Sequence, residues 1–174
     1  MSAITSMILK NDVLCFYALN RRFHCRALDL VMKSLTQLGS TAAAVVISMF
    51  LLLYNRNMGI TLLINLLSSQ FIIHLIKRIV DRPRPYKTLE WAVAINPPKC
   101  RYSLPSGHSG SALSLAMTCA SFFPALRIAL LAIAILVGIS RVYLGVHYPT
   151  DVTLGFAIAV ITYEVFIRVA FISL

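Results

Sequence analysis

Three short stretches of this 174-residue chain carry the polar side chains whose types and spacing could do chemistry. The first is residues 77–85, KRIVDRPRP, in which Lys77 and Arg84 are cations. Its prolines restrict the backbone close to Arg84 and so present that side chain in a defined way. Taken alone, such a basic segment is also typical of the positively charged flank of a membrane helix.

The second stretch is residues 105–108, PSGH. Proline is favoured in the first turn of a helix, so we expect Pro105 to open one and leave the following N–H groups free. Those groups and the helix dipole attract an anion, and Gly107 lets the anion approach the backbone closely. Ser106 adds a hydroxyl donor and His108 a titratable ring. In isolation, an ordinary capped helix start explains this tetrapeptide equally well.

The third stretch is residues 140–151, SRVYLGVHYPTD. Pro149 predicts a helix that starts just after His147, with Asp151 in its first turn. A carboxylate there can fix the tautomer of the imidazole and leave the other ring nitrogen as a nucleophile or base. The alternative is that Asp151 only complements the helix dipole. Arg141 in the same apolar region favours function, because ionisable residues inside a membrane are costly.

Together these stretches supply three cations, a helix N-terminus, two histidines and a carboxylate. Phosphoryl transfer requires such a set, with donors around the phosphate oxygens and a nucleophile opposite an acid. No group of carboxylates suits Mg²⁺ or Ca²⁺, so we expect neither a metal nor another cofactor. A zinc site of His108, His147 and Asp151 is a weaker alternative, since the nearby cations would repel a metal.

The composition is that of a membrane protein. Hydrophobic residues make up 59% of the chain and charged residues 13%, with a mean hydropathy of +0.81. A soluble domain of this size could not bury so much apolar surface, and disorder, collagen and a coiled coil are excluded by the same figures. The net charge of +10 could indicate nucleic acid, but few charges interrupt the long apolar runs, so anionic lipid and phosphate are the expected partners. The four cysteines show no metal-site or disulfide spacing.

Apolar runs long enough to cross a bilayer set the expected elements. They occupy residues 38–54, 58–76, 105–123, 126–146 and 152–172. Residues 1–36 are interrupted by charges and predict amphipathic helices in the interface, with a tilted, partly inserted first helix as the alternative. The sequence therefore predicts an all-α integral membrane bundle of five to six helices in a single domain, 1–174, with a transmembrane core at 37–174. Counting the crossings places the three polar stretches at one membrane face.

The three stretches also resemble, in order and spacing, the tripartite signature of the type 2 phosphatidic acid phosphatase superfamily. The resemblance covers residues 77–151: Lys77 with Arg84-Pro85, then Pro105-Ser106-Gly107-His108, then Ser140-Arg141 with His147 and Asp151. It implies that His147 attacks phosphorus to form a phosphohistidine, that Asp151 orients His147, and that His108 protonates the leaving oxygen and later activates water. The phosphate would be held by Lys77, Arg84, Ser106, Gly107 and Arg141. Soluble vanadium-dependent haloperoxidases belong to the same superfamily, and the apolar spans favour its lipid branch.

The resemblance implies a bacterial plasma-membrane lipid phosphatase, with no obligate protein partner inferred. Phosphatidylglycerol phosphate, phosphatidic acid and undecaprenyl diphosphate are all candidate substrates. Some undecaprenyl-diphosphate members carry an acidic residue where Gly107 stands, which favours the first two lipids. An anion transporter or channel and a scaffold with a degenerate site are the alternatives from other classes. The His147–Asp151 pair beside His108 favours an enzyme, because anion binding needs neither a nucleophile nor an acid.

The orientation in the membrane is ambiguous at the level of sequence. If residues 38–54 form the first crossing, five N-terminal basic residues share the active-site face: Lys10, Arg21, Arg22, Arg26 and Lys33. Three lie on the other face: Arg56, Arg127 and Arg168. The positive-inside rule then predicts a cytoplasmic site. The resemblance implies an extracytoplasmic one, which we favour because an amphipathic N-terminus can lie on either leaflet.

Overall fold

The computed structural model describes the backbone of residues 3–172 and the side chains of residues 7 and 9–166. Within that part the regular elements are all helices, and the loops between them include an isolated bridge between Pro83 and Tyr102. The α-helices are α1 (Ala3–Tyr17), α2 (Arg26–Leu38), α3 (Thr41–Tyr54), α4 (Arg56–Val80), α5 (Pro85–Thr88), α6 (Gly107–Phe122), α7 (Arg127–Tyr143) and α8 (Pro149–Ile172). A π-helical turn, Ala18–Arg22, follows α1, and a 3₁₀ turn, Pro124–Leu126, precedes α7. The predicted all-α class is confirmed.

Helix α6 lies at the centre of the bundle and packs against α4, α7 and α8. Its residues are mostly glycine, serine and alanine, which allow neighbouring helices to approach closely. Ala112 and Ala116, for example, form a buried cluster with Ala134 and Val137 of α7. Around this centre, α3 packs on α4, α2 on α7 and α1 on α8.

The described part contains three helical segments that are long and apolar enough to cross a membrane: Arg56–Val80, Pro124–Tyr143 and Pro149–Phe166. Helices α2 and α3, bent by 50° at their junction, could together provide a fourth crossing. Large apolar side chains cover the outside of the bundle, including Leu53 (89% exposed) and Ile128 (84% exposed). Such a surface suits lipid and not water, so the molecule is a helical membrane protein.

Of the expected first span, residues 38–54, only Leu38 belongs to α2, and residues 41–54 form α3. Gly39 lies at the bend, where a Cβ atom would be 2.5 Å from Cγ1 of Val137, so that only glycine fits without displacement. Ser40 then caps α3, its side chain accepting a hydrogen bond from the N–H of Ala43 at 3.1 Å. This break between two caps replaces the continuous helix that the apolar run predicts.

The expected span 105–123 is also shorter than predicted. Pro105 lies before α6 and not in its first turn, and Ser106 is the N-cap. The 16 residues of α6 are about 24 Å long, less than the ~30 Å hydrocarbon core. Helix α6 packs against α4 and α8, which are longer, and its last residues, such as Phe122, remain exposed.

The N-terminal region is part of the bundle and does not only lie on its surface. Phe16 of α1 is fully buried in a cluster with Val142, Tyr148 and Val152, and Trp91 packs against the same cluster. The expected interfacial helix is therefore anchored at the end of the bundle that carries the third polar stretch.

Candidate active site

The structure brings the three polar stretches together at one end of the bundle. Nη1 of Arg84, at the start of α5, lies 3.3 Å from Nε2 of His147 in the α7–α8 loop. The backbone N–H of Ser106, the cap of α6, donates to the carbonyl oxygen of Asp151 in α8 at 2.8 Å. The convergence expected from counting crossings is therefore observed.

The neighbours of His147 determine which ring nitrogen is free. A guanidinium can only donate, so the Nη1 contact from Arg84 requires a lone pair on Nε2. The ring proton is then on Nδ1, which lies 3.4 Å from Oδ2 of Asp151, an acceptor. Asp151 is itself held by the N–H of Tyr148, which donates to Oδ2 at 2.8 Å. This arrangement leaves the lone pair of Nε2 in the plane of the ring, facing the guanidinium of Arg84.

Burial keeps His147 neutral. The side chain is 2% exposed, and this burial, opposed by Asp151 and reinforced by Arg141 and Arg84, lowers the pKa of His147 to about 3. The ring therefore remains neutral at ordinary pH, with a proton on Nδ1 and none on Nε2.

Arg84 is anchored by backbone carbonyls. It is 2% exposed; Nε donates to the Cys100 oxygen at 2.7 Å and Nη1 to the Val146 oxygen at 2.8 Å. Lys77, half-buried in the last turn of α4, is close enough for its charge to interact with that of Arg84. Lys77 therefore lies in the same cationic cluster as Arg84, which contacts the His147 ring.

The start of α6 presents donors toward the same place. The Ser106 oxygen accepts bonds from the N–H and the hydroxyl of Ser109, at 3.4 and 2.8 Å, which leaves its own O–H free to donate. The amides of Gly107 and His108 are the first two of the helix and have no intrahelical partner. The carbonyl of Gly107 is fixed by Nε2 of Gln70, which donates to it at 3.0 Å.

Arg141 reaches the site from α7 and contacts the N-terminal region. Its Nη1 donates to Oγ1 of Thr36 in α2 at 2.7 Å. Its Nε is buried and donates to no group among the described residues. A buried guanidinium N–H without an acceptor is costly, and a bound anion would satisfy it.

A cavity of about 220 Å³ opens onto Arg141 and His108. Helix α2 contributes Lys33, Thr36 and Gln37 to its wall. The volume accommodates a phosphate and a small group attached to it. Helix α2, expected to be an interfacial element, therefore forms one side of the site.

Three residues near the site were not singled out from the sequence: Thr36, Arg82 and Asp12. Arg82 donates through Nη1 to Oδ1 of Asp151 at 2.8 Å and through Nη2 to Oδ2 of Asp12 at 2.7 Å. For Asp12 a signal did exist, because a carboxylate within an apolar helix is costly enough to indicate a partner. Nothing in the spacing of Thr36 or Arg82 predicts these contacts.

His108, His147 and Asp151 do not form a metal-binding group. Over the residues that the structure describes, no three His, Cys, Asp or Glu side chains are placed to hold an ion. The zinc alternative thus has no geometric support.

Comparison with known proteins shows the family. Residues 58–172 match the PAP2 superfamily, and the chain belongs to it. A lipid A 1-phosphatase of Rhizobium johnstonii is 34% identical over 109 residues, which are 60% of this chain and 45% of the relative. The chain thus spans less than half the length of that relative.

Two further proteins are similar over more of their length. An undecaprenyl-diphosphatase of Sulfolobus acidocaldarius is 31% identical over 134 residues, 74% of this chain and 64% of the relative. The crystal structure of a transmembrane PAP2-type phosphatidylglycerolphosphate phosphatase from Bacillus subtilis has a TM-score of 0.74 and 27% identity, covering 91% of this chain and 84% of that one. The resemblance drawn from the three polar stretches is confirmed at the level of the family.

Proposed function

We propose that this chain is an integral-membrane lipid phosphatase that hydrolyses a phosphomonoester or diphosphate through a phosphohistidine on His147. The observation that carries the proposal is the environment of that ring. Asp151 faces Nδ1, while Nε2 keeps its lone pair and faces the guanidinium of Arg84. A carrier or scaffold that only binds an anion has no need of an oriented, neutral imidazole.

In the first step, Nε2 of His147 attacks phosphorus, and the bond from phosphorus to the lipid oxygen breaks. His108, as the imidazolium that forms beside the bound phosphate dianion, donates its proton to the departing oxygen, so that the lipid leaves as an alcohol or a monophosphate. The imidazole becomes a phosphorylated cation, which the carboxylate of Asp151 stabilises through Nδ1–H. Val146 and Cys100 keep Arg84 in place when Nε2 exchanges its guanidinium contact for phosphorus.

In the second step, His108 takes a proton from water, and the resulting hydroxide breaks the bond between phosphorus and Nε2 of His147. Inorganic phosphate leaves and both rings return to their starting states. Lys77, Arg84, Arg141, the Ser106 hydroxyl and the Gly107 amide would neutralise the phosphate oxygens in both steps. No metal or other cofactor is assigned a role.

Phosphatidylglycerol phosphate or phosphatidic acid is the proposed substrate, and undecaprenyl diphosphate is the alternative. The names of the relatives support a lipid phosphate in general, since they include lipid A, undecaprenyl diphosphate and phosphatidylglycerol phosphate. Initial rates on the three lipids in mixed micelles would rank them directly.

Phosphate release in EDTA tests the catalytic proposal. We expect His147→Ala to lose at least about 10³-fold in kcat, as removal of a catalytic nucleophile does. His74→Ala is the matched control, because His74 is exposed and its Nδ1 contacts the Gln70 carbonyl within its own helix. Full activity of His147→Ala would refute the mechanism, and phosphate binding without hydrolysis by the unmodified chain would favour the transporter alternative.

A substrate with a good leaving group separates the two steps. The nitrophenolate of p-nitrophenyl phosphate needs no proton from His108, so His108→Ala should still form the phosphohistidine but hydrolyse it slowly. With a radiolabelled phosphoryl group on the substrate, we expect an acid-labile, alkali-stable phosphoryl label on the protein in this variant. The double variant with His147→Ala should carry none. Absence of label from both would contradict a covalent intermediate.

We also propose that the protein lies in the plasma membrane with the site on the extracytoplasmic side. Lys99 is exposed near Arg84. Arg56 begins α4, and Lys77 lies in the last turn of that helix, so Arg56 is at the end away from the site. In a background without the natural cysteines, an impermeant maleimide should label Lys99→Cys in whole cells and spare Arg56→Cys. The reverse pattern would place the site in the cytoplasm. Gly110, at the start of α6, is buried and unsuitable for such labelling.

A further inference from the structure

A buried chain of charged groups leads from His147 to the N-terminal helix. Arg82 stands between two carboxylates, donating through Nη1 to Oδ1 of Asp151 at 2.8 Å and through Nη2 to Oδ2 of Asp12 at 2.7 Å. The side chains of Asp12 and Asp151 are 1% and 0% exposed, and that of Arg82 is 16% exposed. The other oxygen of Asp151, Oδ2, faces Nδ1 of His147.

The guanidinium of Arg82 makes two further contacts. Besides the two carboxylates, its Nη1 donates to Oγ1 of Thr150 at 2.7 Å. Its Cζ atom lies 4.1 Å from the centre of the Tyr148 ring, in a stacking contact. A planar fork with two separate donor nitrogens is needed to satisfy both carboxylates, and lysine has only one nitrogen.

Asp12 also holds the first turn of α8. Its Oδ1 accepts a hydrogen bond from the backbone N–H of Thr150 at 2.9 Å, and its Oδ2 accepts one from the Thr150 hydroxyl. Thr150 immediately precedes Asp151, so Asp12 constrains the position of the catalytic carboxylate through the backbone as well as through Arg82. Asp12 lies outside residues 58–172, the part that matches the family.

We propose that Arg82 and Asp12 are positioning residues for the nucleophile. Asp12 fixes Arg82, and Arg82 occupies Oδ1 of Asp151, so that Oδ2 is turned to Nδ1 of His147. When His147 becomes a phosphorylated cation, the negative charge of Asp151 is then already aligned with it. Arg82 stays protonated throughout and transfers no proton. This role rests on the proposed function of His147.

The charge balance supports this assignment. Two buried carboxylates close to a single guanidinium are costly unless each is hydrogen-bonded, and each of them is. If the cluster served only to hold α1 to the bundle, an apolar contact such as that of Phe16 would suffice. The arrangement instead directs one carboxylate oxygen to the imidazole.

Kinetics of charge-removing variants test the proposal. Asp12→Asn keeps the size of the side chain but removes the charge that fixes Arg82, and should lower kcat about tenfold, the effect of one charge-assisted hydrogen bond. KM should not change if both residues act only through Asp151 and not on the bound lipid. Arg82→Gln should lower kcat further, and Asp12→Asn should add little to it, since Asp12 acts through Arg82.

Asp81→Asn is the matched control. Asp81 neighbours Arg82 in sequence but forms an exposed ion pair with Arg101, and asparagine tolerates its φ of 44°. We expect this variant to retain full kcat. All rates are referred to folded protein, measured by size-exclusion chromatography and thermal melting in detergent.

The outcomes separate this proposal from the proposed function. Unchanged kcat per folded Asp12→Asn molecule, or independent and multiplying losses in the double variant, would overturn the positioning role. A rise in KM with constant kcat would also overturn it. If His147→Ala were active, the proposed function itself would fail, whatever the Asp12 variants do.

Discussion

The hydroxyl oxygen of Thr36 accepts a hydrogen bond from Nη1 of Arg141 at 2.7 Å, although 105 residues separate them in the chain. This contact joins α2 to Arg141, which we propose binds the phosphate. It leaves Nε of Arg141 unpaired among the described groups. The N-terminal helices therefore contribute to the site from two sides, through Thr36 in α2 and through Asp12 in α1.

Removing the Thr36 hydroxyl should weaken phosphate binding. Thr36→Val keeps the shape of the side chain, but Arg141 loses an acceptor and can turn from the cavity. We expect KM for the lipid phosphate to rise about three- to tenfold, as for loss of a typical net hydrogen bond of about 0.5–1.5 kcal/mol, with a smaller change in kcat. Steady-state kinetics in micelles measure both. Thr61→Val, which removes a hydroxyl bonded within its own helix, is the control, and an equal effect of both variants would contradict the assignment.

Lys33 should contribute to the choice between substrates. It lines the same cavity as Arg141 and His108, so its ammonium can contact a second anionic group on the lipid. We expect Lys33→Ala to reduce kcat/KM for a diphosphate several-fold more than for phosphatidic acid, because only the diphosphate carries that extra charge. Rates on the two lipids give the ratio.

The control for Lys33 lies on the same helix. Arg26 is an exposed cation of α2 that does not line the cavity, so Arg26→Ala should leave the ratio unchanged. If Lys33→Ala lowered both rates equally, Lys33 would attract anionic lipids in general and would not contact a second anionic group.

The protonation of His147 can be followed directly, since the chain has only four histidines. With its pKa lowered to about 3 by burial, the ring should stay neutral, with the proton on Nδ1, as the pH falls from 8 to 5. Nitrogen NMR of histidine-labelled protein in detergent reports this, and His147→Ala assigns the signal. A midpoint near the ordinary value of about 6.5 would contradict the burial seen in the structure.

The same shift predicts the pH dependence of stability. The unfolded ring takes up a proton below about pH 6.5, whereas the folded ring does so only near pH 3. This histidine therefore contributes its full stabilisation above the unfolded pKa, and that contribution is lost progressively as the pH falls toward the folded pKa. Thermal melting of His147→Ala should accordingly be less sensitive to pH in this window than that of the unmodified chain.

Asn20 should stabilise the loop that covers the site. Its Nδ2 donates to the carbonyl oxygens of Val93 and Tyr143 at 2.8 and 2.7 Å, and its Oδ1 accepts from the Val93 N–H at 2.9 Å. Asn20→Ala leaves these buried groups unpaired and should lower the free energy of unfolding by about 1–3 kcal/mol. Asn57→Ala, at an exposed position, is the control, and equal melting temperatures for the two variants would count against this role.

Gly145 contributes to the same loop contact for a conformational reason. Its φ of +78° is in the left-handed region, and a Cβ atom would be 2.1 Å from the Val93 oxygen. The glycine in the third polar stretch therefore lets the loop approach α7 closely, a requirement that its position in the sequence does not reveal.

Local chemistry allowed the class of protein and the three polar stretches to be predicted from the sequence. The signals were apolar runs of membrane length, a proline before Ser106 and another proline before Asp151. Each acts locally along the chain, so its effect does not depend on the rest of the fold. The same holds for the spacing of His147 and Asp151, which one helical turn brings together. The family and the all-α membrane class followed from these features.

Packing between distant segments decided the rest. The Arg82 contacts with Asp151 and Asp12 join residues 69 and 70 positions apart, and the Thr36–Arg141 bond joins residues 105 apart. Such pairs form only once α1 and α2 dock on α8 and α7, and no periodicity of one segment encodes the partner on another. Helix α6 is likewise shorter than a span, and its central place among α4, α7 and α8 depends on the assembled bundle and not on its own residues.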